Sequence, residues 1–254
     1  MKKFVLALAA VLVFSSAAVQ AQQRDLTILY SNDLHAHLEP HKVPWVSETR
    51  LVGGFANIAT LVKREKAANP YTVYFDAGDY FTGPYISSLT KGEAIIDAMN
   101  YLGLDAACVG NHEFDHGWQN AREQFKKAKF PILNGNIFEK GTDKLHWNNP
   151  YIIKKVNGIR IGVIGMHGKF AFYDTTSDEM IQGVDARDDT CRDGLSGPPL
   201  DVRVGSVEPD GPEVALLTTD GDRDHCFACF VHELPTLRTI GAGVRPSTAA
   251  PAPP

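Results

Sequence analysis

The chain has no excess of basic residues: Lys and Arg number 25 against 30 Asp and Glu, for a net charge of −5. That argues against a nucleic-acid polymer as partner, because gripping a phosphate backbone takes a basic surface. Cysteine is scarce, with four in 254 residues, and the four do not form a disulfide framework. Cys108 lies alone in an apolar run, while Cys191, Cys226 and Cys229 fall near the C-terminus. After residue 21 no run is apolar enough to span a bilayer, so no membrane partner is expected of the mature protein. The most abrupt absence begins at Asp188: from there to Pro254 the chain has no Lys, Asn, Gln, Tyr, Trp or Met. Asp, Gly, Pro and Arg dominate instead, and from Pro246 a Pro/Ala/Ser/Thr tract cannot pack a core. Residues 188–254 therefore read as an irregular tail with one short strand, Val214 to Leu217. Three origins stay open: a natural flexible tail, a small accessory module, or a foreign reading frame joined to a genuine domain.

Residues 1–21 read as an export signal. Lys2 and Lys3 supply a positive start, Phe4 to Phe14 an apolar run too short to span, and Val19-Gln20-Ala21 the small residues read at cleavage. The expected location is outside the cytoplasm, periplasmic or secreted. No Cys follows the cleavage point, so no lipid anchor is expected.

Between residues 22 and 187 apolar runs alternate with helical patterns. Leu26 to Tyr30, Thr72 to Phe75, Ala106 to Val109, Pro131 to Leu133 and Ile159 to Ile164 read as strands. Phe55, Ile58, Ala59 and Val62 recur at helical spacing, as do Ile95, Ile96, Met99 and Leu102 ahead of Gly103; Trp118 to Lys129 reads as a polar helix. The alternation predicts an α/β domain.

The chemistry sits where the strands end. The first runs into Asp33-Leu34-His35, and in an extended segment residues two apart face one side, so a carboxylate and an imidazole converge. The second ends in Asp76-Ala77-Gly78-Asp79, with Gly78 permitting a tight turn. The third ends in Gly110-Asn111-His112-Glu113-Phe114-Asp115. Ends of neighbouring parallel strands meet at one sheet edge, where α/β sites are built. A carboxylate, imidazole and amide mixture suits a borderline divalent ion such as zinc or manganese better than calcium. An Asp placed centrally can bridge two such ions, which together stabilise the entering and leaving oxygens of a phosphoryl displacement. His37, His41 and His167 read as loop or structural histidines, and Trp45 and Trp118 as packing residues.

These segments resemble a known family. Residues 28–40, Gly78 to Pro84 and Gly110 to Asp115 look like the opening motifs of the secreted 5′-nucleotidases, which are calcineurin-like metallophosphoesterases; Gly162 to Gly168 fits the next strand and turn. The resemblance covers about residues 24–187. It implies a β-sandwich of two mixed sheets flanked by helices, here incomplete. It also implies hydrolysis of nucleotide phosphate monoesters by in-line attack of metal-bound hydroxide. Asp33 and His35 would bind a first metal, Asp79 would bridge, and Asn111 would bind a second. His112 would act on the phosphoryl group and leaving oxygen, with Asp115 orienting its ring.

The family also uses a His after a later aliphatic strand and a closing Gly-His-x-His, and neither stands at the expected place. The expectation is a truncated domain with impaired activity, in which the second ion is weakly held or lost; the rival is an inactive metal- or ligand-binding remnant. His225, Cys226, Cys229 and His232 do not match zinc spacings, and no strand pattern brings them to the same sheet edge.

Overall fold

A computed structural model describes residues 25–187, side chains of Phe170 and Ala171 excepted, and the backbone of Glu213–Thr219 and Leu237–Gly241. The export signal and the His225–His232 cluster lie outside the described residues.

In chain order the elements are β1 (Leu26–Ser31), β2 (His41–Lys42), β3 (Leu51–Val52), α1 (Phe55–Ala68), β4 (Thr72–Asp76), α2 (Tyr85–Thr90), α3 (Glu93–Met99), β5 (Ala106–Cys108), a single 3-10 turn (His112–Phe114), α4 (Trp118–Phe125), β6 (Ile132–Leu133), β7 (Ile137–Glu139), β8 (Tyr151–Val156), β9 (Ile159–His167), α5 (Lys169–Thr175), β10 (Val184–Ala186), β11 (Glu213–Thr219) and β12 (Leu237–Gly241). One sheet runs β12-β1-β4-β5-β6, every described pairing parallel. A second runs β11-β9-β8, parallel at β11–β9 and antiparallel at β8–β9. Two small antiparallel pairs, β2–β3 and β10–β7, complete the described strands.

Strand alternation divides the core in two. Leu26, Ile28, Val73, Phe75, Ala106, Cys108 and Leu133 point from the first sheet onto Ile159, Ile161 and Val163 of β9. Their neighbours Leu29, Tyr74, Ala107 and Val109 point the other way, onto Phe55, Val62, Ile95, Ile96, Met99 and Leu102 of the helical layer. β1, β4, β5 and β6 are thus buried on both faces, which is why their runs read as continuously apolar. The sandwich flanked by helices is the fold that the resemblance implies, except that among the described pairings only the second sheet is mixed. No helix among the described residues is long and apolar enough to cross a membrane.

The differences from the sequence reading have local causes. The helix expected over Trp118 to Lys129 stops at Phe125. Asn100 captures the segment that follows, its amide nitrogen donating to Lys127 O at 3.1 Å and its oxygen accepting from Lys129 N at 2.6 Å. Trp45 is 79% exposed, so it is no packing residue; it stands in the short excursion between β2 and β3. The tail holds more strand than Val214 to Leu217. β11 lies along β9 with Thr219 opposite His167, and β12 lies along β1. Both occupy edges that would otherwise present unpaired peptide groups. β11 therefore places residues 213–219 at the edge of the second sheet, beside the strand carrying His167.

Candidate metal centre

Three segments build the site, each leaving the first sheet at the same edge. β1 gives way at Ser31 to a loop in which Asp33, His35 and Ala36 all adopt left-handed φ, at 54°, 43° and 53°. This is not the extended segment expected from sequence. Asp33 and His35 still converge, Oδ1 to Nε2 at 3.5 Å, but through loop-to-loop bonding. Asp33 N donates to Gly78 O at 2.9 Å, His35 N to Asp79 O at 3.0 Å and Ala36 N to Tyr80 O at 3.0 Å. After β4, Gly78 turns at φ 110° and Asp79 stands at φ 61°. Non-glycine residues in this region are uncommon and carry strain, and such residues cluster at functional sites. Four within one cleft is an observation of that kind.

Ligand atoms of His35, Asp79 and His112 lie within 4.8 Å of one another, the one His/Cys/Asp/Glu group of that kind among the described residues. The His35 and His112 rings meet edge to face at 4.8 Å. His35 Nδ1 lies 2.8 Å from Thr82 O, which directs Nε2 toward Asp33. The hydrogen bond to Asp33, helped by Thr82 O and the Asp79 charge, raises the His35 imidazole to about 9 against the opposing pull of burial. His112 Nδ1 lies 2.8 Å from Asp115 Oδ2, and that bond raises His112 above its ordinary value although burial opposes it. Burial alone would raise Asp115; hydrogen bonds from His112 and Thr82 prevail and hold it low. With Nδ1 so engaged, the opposite ring nitrogen is left for the cleft.

Carboxylates crowd this edge. Asp79 is buried, which raises its pKa, while the His112 N–H donating to Oδ1 at 3.0 Å works the other way. Asp76 is fully buried and pushed up to about 7, its oxygens taking Ser31 Oγ at 2.5 Å and Gly78 N at 2.9 Å. Whether these donors fit an ion is tested by Asn111. With its nitrogen turned to Asp79 the amide donates to both carboxylate oxygens, at 3.2 and 3.1 Å, and its oxygen accepts from Thr175 Oγ1 at 3.2 Å. With its oxygen turned the same way two acceptors oppose each other, which only a cation between them makes favourable. Carboxylates, imidazoles and one amide that can turn over fit a divalent ion.

The other sequence candidates separate cleanly. His37 and His41 pair with each other at 4.5 Å between rings, outside the ligand group. His167 is wholly buried and pushed down to about 4 by that burial; its backbone is held by Asn136 at 2.9 and 2.6 Å. Trp118 packs against His146 and over Gly183.

The residue that sequence reasoning passed over is Glu113. It is fully buried, and its two oxygens accept four backbone N–H groups, from Asp79, Tyr80, Phe81 and Gly110. Burial and the neighbouring Asp79 charge push the carboxyl up, while the four N–H donors, which fill the lone-pair positions of its two oxygens, favour the ionised form.

The chain is similar to known proteins. The sequence profile of the Calcineurin-like phosphoesterase family matches residues 26–226, running past the resemblance limit of Arg187 into the tail. A 5′-nucleotidase of Bos taurus is 37% identical over 156 residues, 59% of this chain and 27% of that protein. A snake venom 5′-nucleotidase of Gloydius brevicauda is 36% identical over 157 residues, 59% of this chain and 27% of that protein. The chain thus spans about a quarter of the length of the curated relatives it matches. Among solved structures, a 5′-nucleotidase precursor from Thermus thermophilus superposes with TM-score 0.56 at 30% identity, over 63% of this chain and 32% of that one. The calcineurin-like phosphoesterase YfkN from Bacillus subtilis superposes with TM-score 0.60 at 24% identity, over 79% and 64%, a likeness of fold.

Proposed function

The chain belongs to the calcineurin-like phosphoesterase family, and on that premise we propose that it is an exported, metal-dependent phosphate monoester hydrolase of the 5′-nucleotidase type. The observation that carries the reading is the convergence of His35, Asp79 and His112 within 4.8 Å at the exits of three strands. Asp33, His35, Asp79 and Asn111 would hold two divalent ions, zinc or manganese by donor type. When bound, such ions screen phosphoryl oxygens and make a water acidic enough to react near neutral pH.

The remaining work falls to this chain's own side chains. Asp115 fixes the His112 ring through Nδ1. The raised His112 then carries a proton on the nitrogen facing the cleft and can give it to the leaving oxygen. Asp79, anchored by His112 N–H, keeps its carboxylate beside the two imidazoles. A nucleotide as substrate is carried over from the 5′-nucleotidases that the chain resembles, and the chain's net charge of −5 argues for a small phosphate ester over a nucleic-acid polymer.

The test is to assay the purified chain on AMP and on an aryl phosphate with added manganese or zinc, beside the Asp79→Ala variant. Turnover that needs the metal, is weaker than that of a full-length relative and vanishes in Asp79→Ala is the expected result. Ions retained after dialysis without turnover would instead select a non-enzymatic metal-binding protein, and neither ions nor turnover would overturn the reading.

A further inference from the structure

We propose that Glu113 is the positioning residue of the metal centre: its buried carboxylate fixes the backbone of Asp79 and so sets where the Asp79 carboxylate stands. The inference rests on the metal-site reading above. Glu113 Oε2 accepts from Asp79 N at 3.0 Å and Gly110 N at 2.6 Å; Oε1 accepts from Tyr80 N at 2.9 Å and Phe81 N at 3.1 Å. The donors come from two strand exits, three consecutive amides after β4 and one after β5. Consecutive amides can converge on one anion only when the chain curls, and the left-handed Asp79 at φ 61° supplies the curl. The carboxylate and the strained residue therefore require each other. Without the anion three N–H groups would point at one another in a buried space.

The same short turn reaches Asp79 twice. Glu113 binds its main chain, while His112 N–H, one residue earlier, binds its Oδ1 at 3.0 Å. Gly110 completes the clamp: a Cβ there would lie 2.5 Å from Asp79 N and 2.1 Å from Asp79 Oδ1. Glu113 makes its hydrogen bonds to backbone N–H groups and not to the ligand atoms of His35, Asp79 and His112, so it acts through the loop it holds.

The experiment compares the full chain with Glu113→Gln, which keeps the size but turns an amide NH2 toward two of the four donors. Hydrogen exchange is read on the metal-free proteins and Mn²⁺ binding by its paramagnetic resonance signal. Amides of Asp79, Tyr80, Phe81 and Gly110 should exchange at least about tenfold faster in Glu113→Gln, with those of Ile28 and Val73 unchanged, and Mn²⁺ affinity should fall about 10–100-fold, as when other supports of metal ligands are removed. Ile96→Ala, a core change in α3, is the control; it should lower stability without selective loss at those four amides and without weakening Mn²⁺. Wild-type protection at the four amides in Glu113→Gln overturns the proposal, as does a loss of affinity no larger than that of Ile96→Ala. If the unaltered chain binds no Mn²⁺, the metal reading fails and the exchange data alone decide Glu113's hold on the loop. Should Glu113→Gln not fold, Glu113→Asp draws the charge back by one methylene; a folded Glu113→Asp with wild-type exchange and Mn²⁺ affinity would equally overturn it.

Discussion

Replacing Gly110 by Ala tests how closely the strand exits are fitted together. The added methyl would sit 2.1 Å from Asp79 Oδ1, 2.5 Å from Asp79 N and 2.7 Å from Asp79 Cγ. Ordinary contact begins near 3.4 Å, so Asp79 must retreat by about 1.3 Å. That movement falls on two hydrogen bonds: His112 N to Asp79 Oδ1 and Asp79 N to Glu113 Oε2, both 3.0 Å, would stretch past any useful length. Overpacking a dense interior costs about 1–3 kcal/mol, and each bond lost to a charged acceptor about 1.5–3 kcal/mol when not replaced by water. With partial relaxation, a loss of about 3 kcal/mol is expected, which lowers Tm by about 6–12 °C for a domain of this size. The Mn²⁺ affinity should fall at least about tenfold because the displaced carboxylate faces the other ligands. Gly141→Ala is the matched control. Gly141 has φ 72° and nothing within 4 Å of an added Cβ, so it carries left-handed strain of about 1–2 kcal/mol and no collision. Thermal melts and Mn²⁺ isotherms on both variants separate the effects: Gly141→Ala should lose stability and keep its affinity. A Gly110→Ala chain that melts within about 2 °C of wild type and binds Mn²⁺ normally would refute the fitted-exit reasoning.

Further outcomes follow from the same geometry. His35, raised to about 9 in the metal-free cleft, must shed its proton to bind an ion, so Mn²⁺ affinity should rise about tenfold per pH unit from pH 6 and level off near 9; an affinity independent of pH over that range excludes His35 as a ligand. Asp115→Asn removes the carboxylate that holds His112 Nδ1 at 2.8 Å, so His112 should lose its raised affinity for a proton; kcat on an aryl phosphate should fall about 100-fold while bound Mn²⁺ per chain stays the same. A fall in metal content instead would make His112 a ligand. His167 is held neutral by burial, at about 4. An unfolded chain takes up that proton near 6.5, so this group's stabilising effect is full above pH 6.5 and is lost at about 1.4 kcal/mol per pH unit down to 4. Urea melts at pH 7 and pH 5 should therefore show the gap between wild type and His167→Gln narrowing by about 2 kcal/mol, other groups cancelling in the difference; a constant gap would refute the buried neutral ring.

Much of the fold was legible because its strands are buried on both faces and so read as unbroken apolar runs, each ending abruptly in polar motifs. The elements that escaped have weaker local signals. β8 has the exposed, alternating sequence of an edge strand, with Ile153 49% exposed. The sign of its pairing was Asn157-Gly158, whose positive φ values of 50° and 77° form a tight hairpin turn into β9. β12 has only Leu237 and Ile240 as apolar residues, and it becomes a strand because β1 offers it an open edge.

The site was legible in its members and not in its mechanics, and the difference is one of range. Asp33, His35, Asp79, Asn111, His112 and Asp115 are found by residue type at strand ends, which is local information. Their arrangement is decided across the chain. Asp33 and His35 do not converge by strand alternation: their backbone is curled, and it is the carbonyls of Gly78 and Asp79 that draw them into place. Those carbonyls belong to a loop whose N–H groups are in turn held by Glu113, more than thirty residues later in the chain. The order of dependence is therefore the reverse of the order of the motifs: the third strand exit shapes the second, and the second shapes the first. A lesion at Glu113 or Gly110 should disturb Asp33 and His35 without touching them, whereas a change at Asp33, at the half-exposed rim, should leave the Glu113 hydrogen bonds intact. Amide exchange at Tyr80 and Phe81 in Asp33→Ala measures this asymmetry directly. Protection at wild-type levels is expected, and its loss would mean that the three exits support one another equally.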